Sequence, residues 1–201
     1  MRFLFLCFAG FFLLNTTANA QSDYILSGAS ITGFGGHGGP VFEIGSVAGE
    51  NMFFFGGRGG GTIHFSSGNS FMIGGGGYGS VTSISRQAEN GENLYLNMSY
   101  GGLELEYTLK YRRAFHLAIR SNLGGGSATE SLQSSGSDVV EDTNFFIIKP
   151  QAYLNMNLTP TVRLQLGAGY RWVTGSNLSA YSDTDLSGFA ATIGVKFGFW
   201  P

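Results

Sequence analysis

Val162-Arg-Leu-Gln-Leu-Gly-Ala-Gly-Tyr-Arg-Trp172 repeats with a period of two. Val162, Leu164, Leu166, Ala168, Tyr170 and Trp172 fall on one side, and Arg163, Gln165, Gly167, Gly169 and Arg171 on the other. Successive residues of a strand point to opposite faces, so one face here is large and apolar and the other small or polar. A helix would scatter both sets around its cylinder. The chain end repeats the pattern: Phe189, Ala191, Ile193, Val195, Phe197 and Phe199 alternate with Ala190, Thr192, Gly194, Lys196 and Gly198.

The same period runs backwards through the chain. Phe146, Ile148, Ala152, Leu154 and Met156 oppose Lys149, Gln151, Tyr153, Asn155 and Asn157. Phe115, Leu117 and Ile119 oppose His116, Ala118 and Arg120, while Leu103, Leu105 and Tyr107 oppose Glu104, Glu106 and Thr108. Upstream of Gly101 the phase reverses at Leu94, Leu96 and Met98, and this predicts a bulge at Gly101–Gly102. Eight strands are predicted, over 38–48, 52–65, 71–85, 94–109, 114–129, 144–158, 162–175 and 186–200. A strand of about 14 residues tilted by ~40° rises about 35 Å, enough to cross an apolar band of ~25 Å. Strands of soluble sandwiches average only ~5–6 residues.

Loop lengths alternate as an outer-membrane barrel requires, with short periplasmic turns and longer outer loops. The connections at 66–70, 110–113 and 159–161 are short, and those at 86–93, 130–143 and 176–185 are long; 49–51 is the exception. The outer connections carry Glu50, Glu89, Glu92, Glu130, Asp138, Glu141, Asp142, Asp183 and Asp185 against Arg86, and the turn at Lys110, Arg112 and Arg113 is basic. The fold expected is all-β: an antiparallel up-and-down transmembrane β-barrel of about eight strands.

The first twenty residues read as a secretory signal peptide. Arg2 supplies the positive start, Phe3 to Leu14 the apolar stretch, and Ala18-Asn19-Ala20 the cleavage site. The organisation expected is a signal peptide over 1–20, a Gly-rich lead over 21–37 and the barrel over 38–201. The single cysteine, Cys7, leaves with the signal, so the exported chain has no disulfide, thiolate site or cysteine nucleophile. No later apolar run is long enough for a membrane-spanning helix. Of the 201 residues 33 are glycine, charged residues are 12% and aromatics 14%, a charge-poor composition with too many rings for a disordered tract. A formal net charge of −2 leaves no basic footprint for nucleic acid.

Catalytic templates are missing: there is no G-x-S-x-G, H-E-x-x-H or P-loop. Gly33–Pro40 precedes a strand instead of joining strand to helix, and reads as a flexible lead. His37, His64 and His116 lie on different segments with no i, i+4 pair, so no metal or other cofactor is expected. The narrow lumen of eight strands is filled by side chains, and charges on its face must pair. Glu104, Glu106, Arg120, Lys149, Arg163, Arg171 and Lys196 are the expected interior network, with the Glu104/Glu106 pair meeting Arg163 and Arg171 across the lumen.

Ile193, Val195, Phe197 and Phe199 resemble the outer-membrane β-signal read by the insertion machinery, with Trp200-Pro201 as a departure from it. More widely, the chain resembles a group of uncharacterised bacterial outer-membrane β-barrel proteins. The supporting stretches are G-G-H-G-G-P (35–40), G-G-R-G-G (56–60), G-G-G-G-Y-G (74–79), Y-G-G-L-E-L-E-Y (100–107) and L-S-G (186–188). The resemblance implies a barrel in the outer membrane of a Gram-negative-type bacterium and carries no activity or site residues. The function expected is structural or surface-interacting, through acidic outer loops and without catalysis. The partners expected are outer-membrane lipid, lipopolysaccharide and, through the last strand, the insertion machinery; the barrel is expected to be a monomer that binds no nucleic acid. Two other classes compete: a lipid-modifying hydrolase with a Ser/His/acid site at the rim, and a soluble exported β-sandwich.

Overall fold

The computed structural model describes residues 30–88, 90–134 and 136–201. The expected signal peptide, the first part of the expected lead segment and Glu89 lie outside the described residues. Nine strands form one antiparallel sheet: β1 (Ile31–Val47), β2 (Glu50–Phe65), β3 (Ser70–Ser80), β4 (Ile84–Gln87), β5 (Asn93–Thr108), β6 (Phe115–Ser131), β7 (Val139–Asn157), β8 (Val162–Thr174) and β9 (Gly188–Phe199). The order is β3-β2-β1-β9-β8-β7-β6-β5-β4, and an additional β3–β5 ladder closes the ring. β3 and β4 are two pieces of one wall strand, interrupted at residues 81–83 where the Thr82 hydroxyl accepts from the Phe53 amide. The result is a barrel of eight strands with no sandwich interface. Among the described residues no helix is long and apolar enough to cross a membrane.

Two expectations fail here for tertiary reasons. The first strand starts at Ile31, not at residue 38, so Gly33–Pro40 is wall and not lead. Glycine disfavours strands in isolation. Here the run is paired on both sides, against 57–64 of β2 and 197–199 of β9. A Cβ on Gly35 would lie 2.2 Å from the Phe199 carbonyl oxygen, so the closing strand approaches this closely only because the side chain is missing. The second failure is the bulge: the registers of β5 with β3 and with β6 run unbroken through Gly101–Gly102.

The phase reversal that suggested a bulge marks a change of surroundings. In β5 the even positions point inward throughout, from Leu94, Leu96, Met98 and Tyr100 to Glu104 and Glu106. Below Gly101 the outward neighbours are Leu103, Leu105 and Tyr107; above it they are Asn97 and Ser99. Ser99, Ser127 and Asn144 stand opposite one another on β5, β6 and β7, and this polar line is the level at which the wall leaves hydrocarbon for water. Beneath it Phe42, Phe53, Phe55, Ile73, Leu117, Ile119, Leu166, Ile193 and Phe197 face outward in the exposed apolar girdle. Tyr170 contacts both Trp172 and Phe189 on the same outer wall, as in an interfacial aromatic belt. Above the line β4, β5, β6 and β7 continue as a four-stranded extension, because β7 gains its β8 neighbour only from Phe146 onward.

The start of β1, the end of β9 and the short connections share the opposite end. The β1–β2 hairpin on the outer side turns on Ala48 and Gly49, with φ of 50° and 82°. Positive φ at both central residues matches the twist of the flanking strands, which explains the single short outer connection.

Candidate functional site inside the barrel

Inward side chains fall into three layers. The outer layer is apolar: Val47, Met52, Phe54, Leu96, Met98, Ala128, Phe145, Ile147 and Val173 form one buried cluster. The β8–β9 loop completes it by inserting Leu178, Tyr181 and Leu186, the last of these fully buried. The sequence reading treated the inward face as polar throughout and missed this seal. Its signal was the reversed phase at Leu94–Met98.

Several of the carboxylates placed in the outer connections fasten this lid. Asp183 accepts from the Gly175 and Ser176 amides at 3.0 and 2.8 Å. Glu141 accepts from the Ser179 hydroxyl at 2.9 Å, and Asp185 accepts from the Ser182 amide at 2.8 Å, as one half of a capping box, and from the Ser182 hydroxyl at 2.6 Å. Those two Ser182 hydrogen bonds, hydroxyl and amide, hold the Asp185 carboxyl below the usual aspartate range. Glu130 is buried and takes Arg86 bidentately at 2.7 Å for each bond. Glu50 lies in β2, and Glu130, Glu141 and Asp142 lie in strand extensions instead of loops.

The middle layer holds the charges, all placed by strand parity. Lys149 donates to Glu43 at 2.8 Å and to the Tyr100 hydroxyl at 3.0 Å, and Tyr100 itself donates to Glu43. Arg171 lies 3.8 Å from the same carboxylate and donates to the Leu186 and Ser46 carbonyls at 3.1 and 3.0 Å. Glu104 accepts from Tyr78 at 2.6 Å and lies 3.6 Å from Arg120. Glu106 takes Arg120 and, at 2.6 Å, Lys196. Arg58 donates to the Tyr153 hydroxyl at 2.8 Å and to Gln165.

All seven expected interior residues are buried. Their partners differ from the expectation. Neither Glu104 nor Glu106 pairs with Arg163 or Arg171: Arg171 reaches Glu43, and Arg163 forms no ion pair among the described residues. Glu43 and Arg58, which complete the network, were legible as inward positions of β1 and β2. Tyr153 shares the inward face of Lys149 and Gln151 in the alternation, whereas Tyr78 and Tyr100 lie in glycine-rich stretches where the alternation does not show which face is inward.

The third layer closes the periplasmic end. His37, His64 and His116 are all buried at this level. His37 approaches Thr62, at 3.4 Å, and His116 approaches the Arg113 carbonyl, at 3.1 Å. Tyr111 enters from the β5–β6 turn, with its ring centroid 4.3 Å from that of His64. Trp200 stacks on His37 at 5.7 Å and lies over the Arg163 guanidinium at 3.7 Å. The dipeptide that departs from the β-signal pattern thus folds over the lumen. The histidines sit inside the barrel at the end opposite the outer rim, where the competing hydrolase reading had put its site.

No protein-family model matches the chain, and no curated protein does. Among solved structures it is similar to Neisserial surface protein A, with 16% identity, a TM-score of 0.53, and coverage of 85% of this chain and 98% of that one. Weaker likenesses are the attachment invasion locus protein Ail of Yersinia pestis, at 16% identity, TM-score 0.47, and 83% and 97% coverage, and the N-terminal β-barrel domain of Pseudomonas aeruginosa OprF, at 12%, 0.46, and 82% and 97%. The chain is an eight-stranded transmembrane β-barrel with the fold of the small outer-membrane proteins.

Proposed function

We propose that the protein is a non-catalytic, monomeric outer-membrane barrel whose working surface is the β4–β7 extension and its connecting loops. It is held in lipid and lipopolysaccharide by the apolar girdle, and β9 carries the signal for insertion. The observation that carries this reading is the division of labour along the wall. Within the bilayer the lumen is packed with paired charges under an apolar seal, whereas above Ser99, Ser127 and Asn144 four strands continue with a polar outer face. A chain that only needed to anchor itself would end its strands at the water level.

Acidic side chains shape that surface. Asp138 and Asp142 are exposed at the β6–β7 tip, beside exposed Leu132, Val139 and Val140. A partner meeting this tip presents basic and apolar groups together. The lack of native cysteine in the exported chain makes the test direct. Cysteine placed at Ser134 should react with a membrane-impermeant maleimide on intact cells, and cysteine at Ser67 should react only after lysis. Labelling in the reverse order would put the extension in the periplasm and end the surface-interaction reading.

A further inference from the structure

Six cations lie inside the barrel, Arg58, Arg120, Lys149, Arg163, Arg171 and Lys196, against three carboxylates, Glu43, Glu104 and Glu106. All three carboxylates are engaged: Glu43 by Lys149 and Arg171, Glu104 by Arg120, and Glu106 by Arg120 and Lys196. Arg58 is satisfied by the neutral oxygens of Tyr153 and Gln165. Arg163 is different. Among the described interior cations it alone makes no hydrogen bond and no ion pair, and its Nε is buried without a partner. A lone charge removed from water is costly unless an anion meets it.

The neighbours of Arg163 point to what that anion is. His64 is fully buried, and neither of its ring nitrogens has a partner. Tyr111 neighbours both, 4.3 Å from the His64 ring and 5.9 Å from the guanidinium. Trp200 covers Arg163 from the periplasmic side. We propose that Arg163 and His64 form, beneath Tyr111 and Trp200, a binding site for a phosphate-type oxyanion admitted from the periplasmic end. A guanidinium offers parallel N–H groups to two oxygens of such a group, and a neutral imidazole adds one more donor. The interior cations outnumber the carboxylates two to one, and that excess draws an anion to this level. Lys196 and Arg112 add to that field, and Glu106, already held by two cations, opposes it. The phosphate group can belong to free inorganic phosphate or to the headgroup of an inner-leaflet phospholipid.

The two tryptophans make the site observable. Trp172→Phe, on the lipid-facing wall, leaves Trp200 as the only reporter. Refolded in phospholipid-free detergent and titrated with sodium phosphate, this protein should show a saturable change in Trp200 emission that equal sodium chloride does not produce. The same titration with a short-chain phosphatidylglycerol distinguishes the sources: saturation by inorganic phosphate assigns the free ion, and saturation by the lipid alone assigns the headgroup. Arg163→Gln should raise the apparent Kd at least about tenfold, as loss of a charge-assisted bidentate contact implies. His64→Phe should raise it less. If Arg163→Gln does not fold, Arg163→Lys keeps the charge without the fork, and should fold and bind more weakly than the parent. No saturable response to either probe overturns the proposal, as does an unchanged Kd in a folded Arg163 variant.

Discussion

Glu43 carries more of the interior than any residue of the expected network. It takes Lys149, Tyr100 and the edge of Arg171 at once, and Thr192 donates to it at 3.3 Å. A buried pair is weak evidence of net stabilisation, but removing one partner leaves uncompensated charge. Glu43→Ala strands two cations and should cost about 3–5 kcal/mol, read as a fall in the unfolding midpoint in detergent. Replacing both members, Glu43→Leu with Lys149→Met, should cost less than the single change, since fewer charges are left alone. A double variant as unstable as the single would mean that the site is valued for its shape and not its charge. The tyrosines matter for the same reason: Lys149 sits 4.2 Å over Tyr78 and 4.7 Å over Tyr100, so ring faces and hydroxyls spread a positive charge that carboxylates do not fully meet.

The β8–β9 loop is the element that turns a wall into a sealed vessel. Its single helical turn, Asp183–Leu186, places Leu186 in the apolar layer while Arg171 grips the Leu186 carbonyl from below. Asp185 gives this fastening a pH dependence of definite sign. Asp185 is ionised more readily in the fold than free in solution, so its contribution is complete above the ordinary aspartate pKa of about 3.9 and disappears as pH falls through its own lower value. A spin label at Asn177 should keep constant mobility from neutral pH down to about pH 4 and loosen only below it. Loosening that begins near neutral pH would show that some other group fastens the lid. The extension and the lid meet at this element too: Asn177 donates its amide to Thr143, and Ser179 its amide to Glu141.

On the scale of the molecule, three inner layers follow three surroundings. The outer layer is dry, the middle is charged and paired, and the periplasmic layer is ringed by aromatic and basic groups. An apolar constriction expels water and blocks ions even where gaps remain between side chains. In planar bilayers the barrel should therefore pass little current. Steady, large single-channel steps would refute the sealed lumen and make the charged layer a conduction path. Closure of the ring through β1 and β9 also leaves no free edge in the closed part of the wall, below the β4–β7 extension.

Alternation is a property of one strand at a time, and so the sequence determined it unaided. Val162–Trp172, Phe189–Phe199, 115–123 and 103–108 reveal which residues face inward before any pairing is known, and with them the barrel class, the strand count and the buried position of all seven expected charges. Three things could be decided only by the ring. Pairing partners depend on strand order and register: Arg171 meets Glu43 because β1 follows β9 around the wall, a neighbour 128 residues away in sequence. Glycine at 33–39 becomes strand because β2 and β9 bind both of its edges, which no local propensity expresses. The meaning of an apolar residue depends on the side that is wet. Beside the bilayer Leu103 points out, while above it Leu96 points in, since there the outside is water and the inside is the dry seal. One period of two runs through both, and only the height of each residue on the wall tells lipid-facing from core.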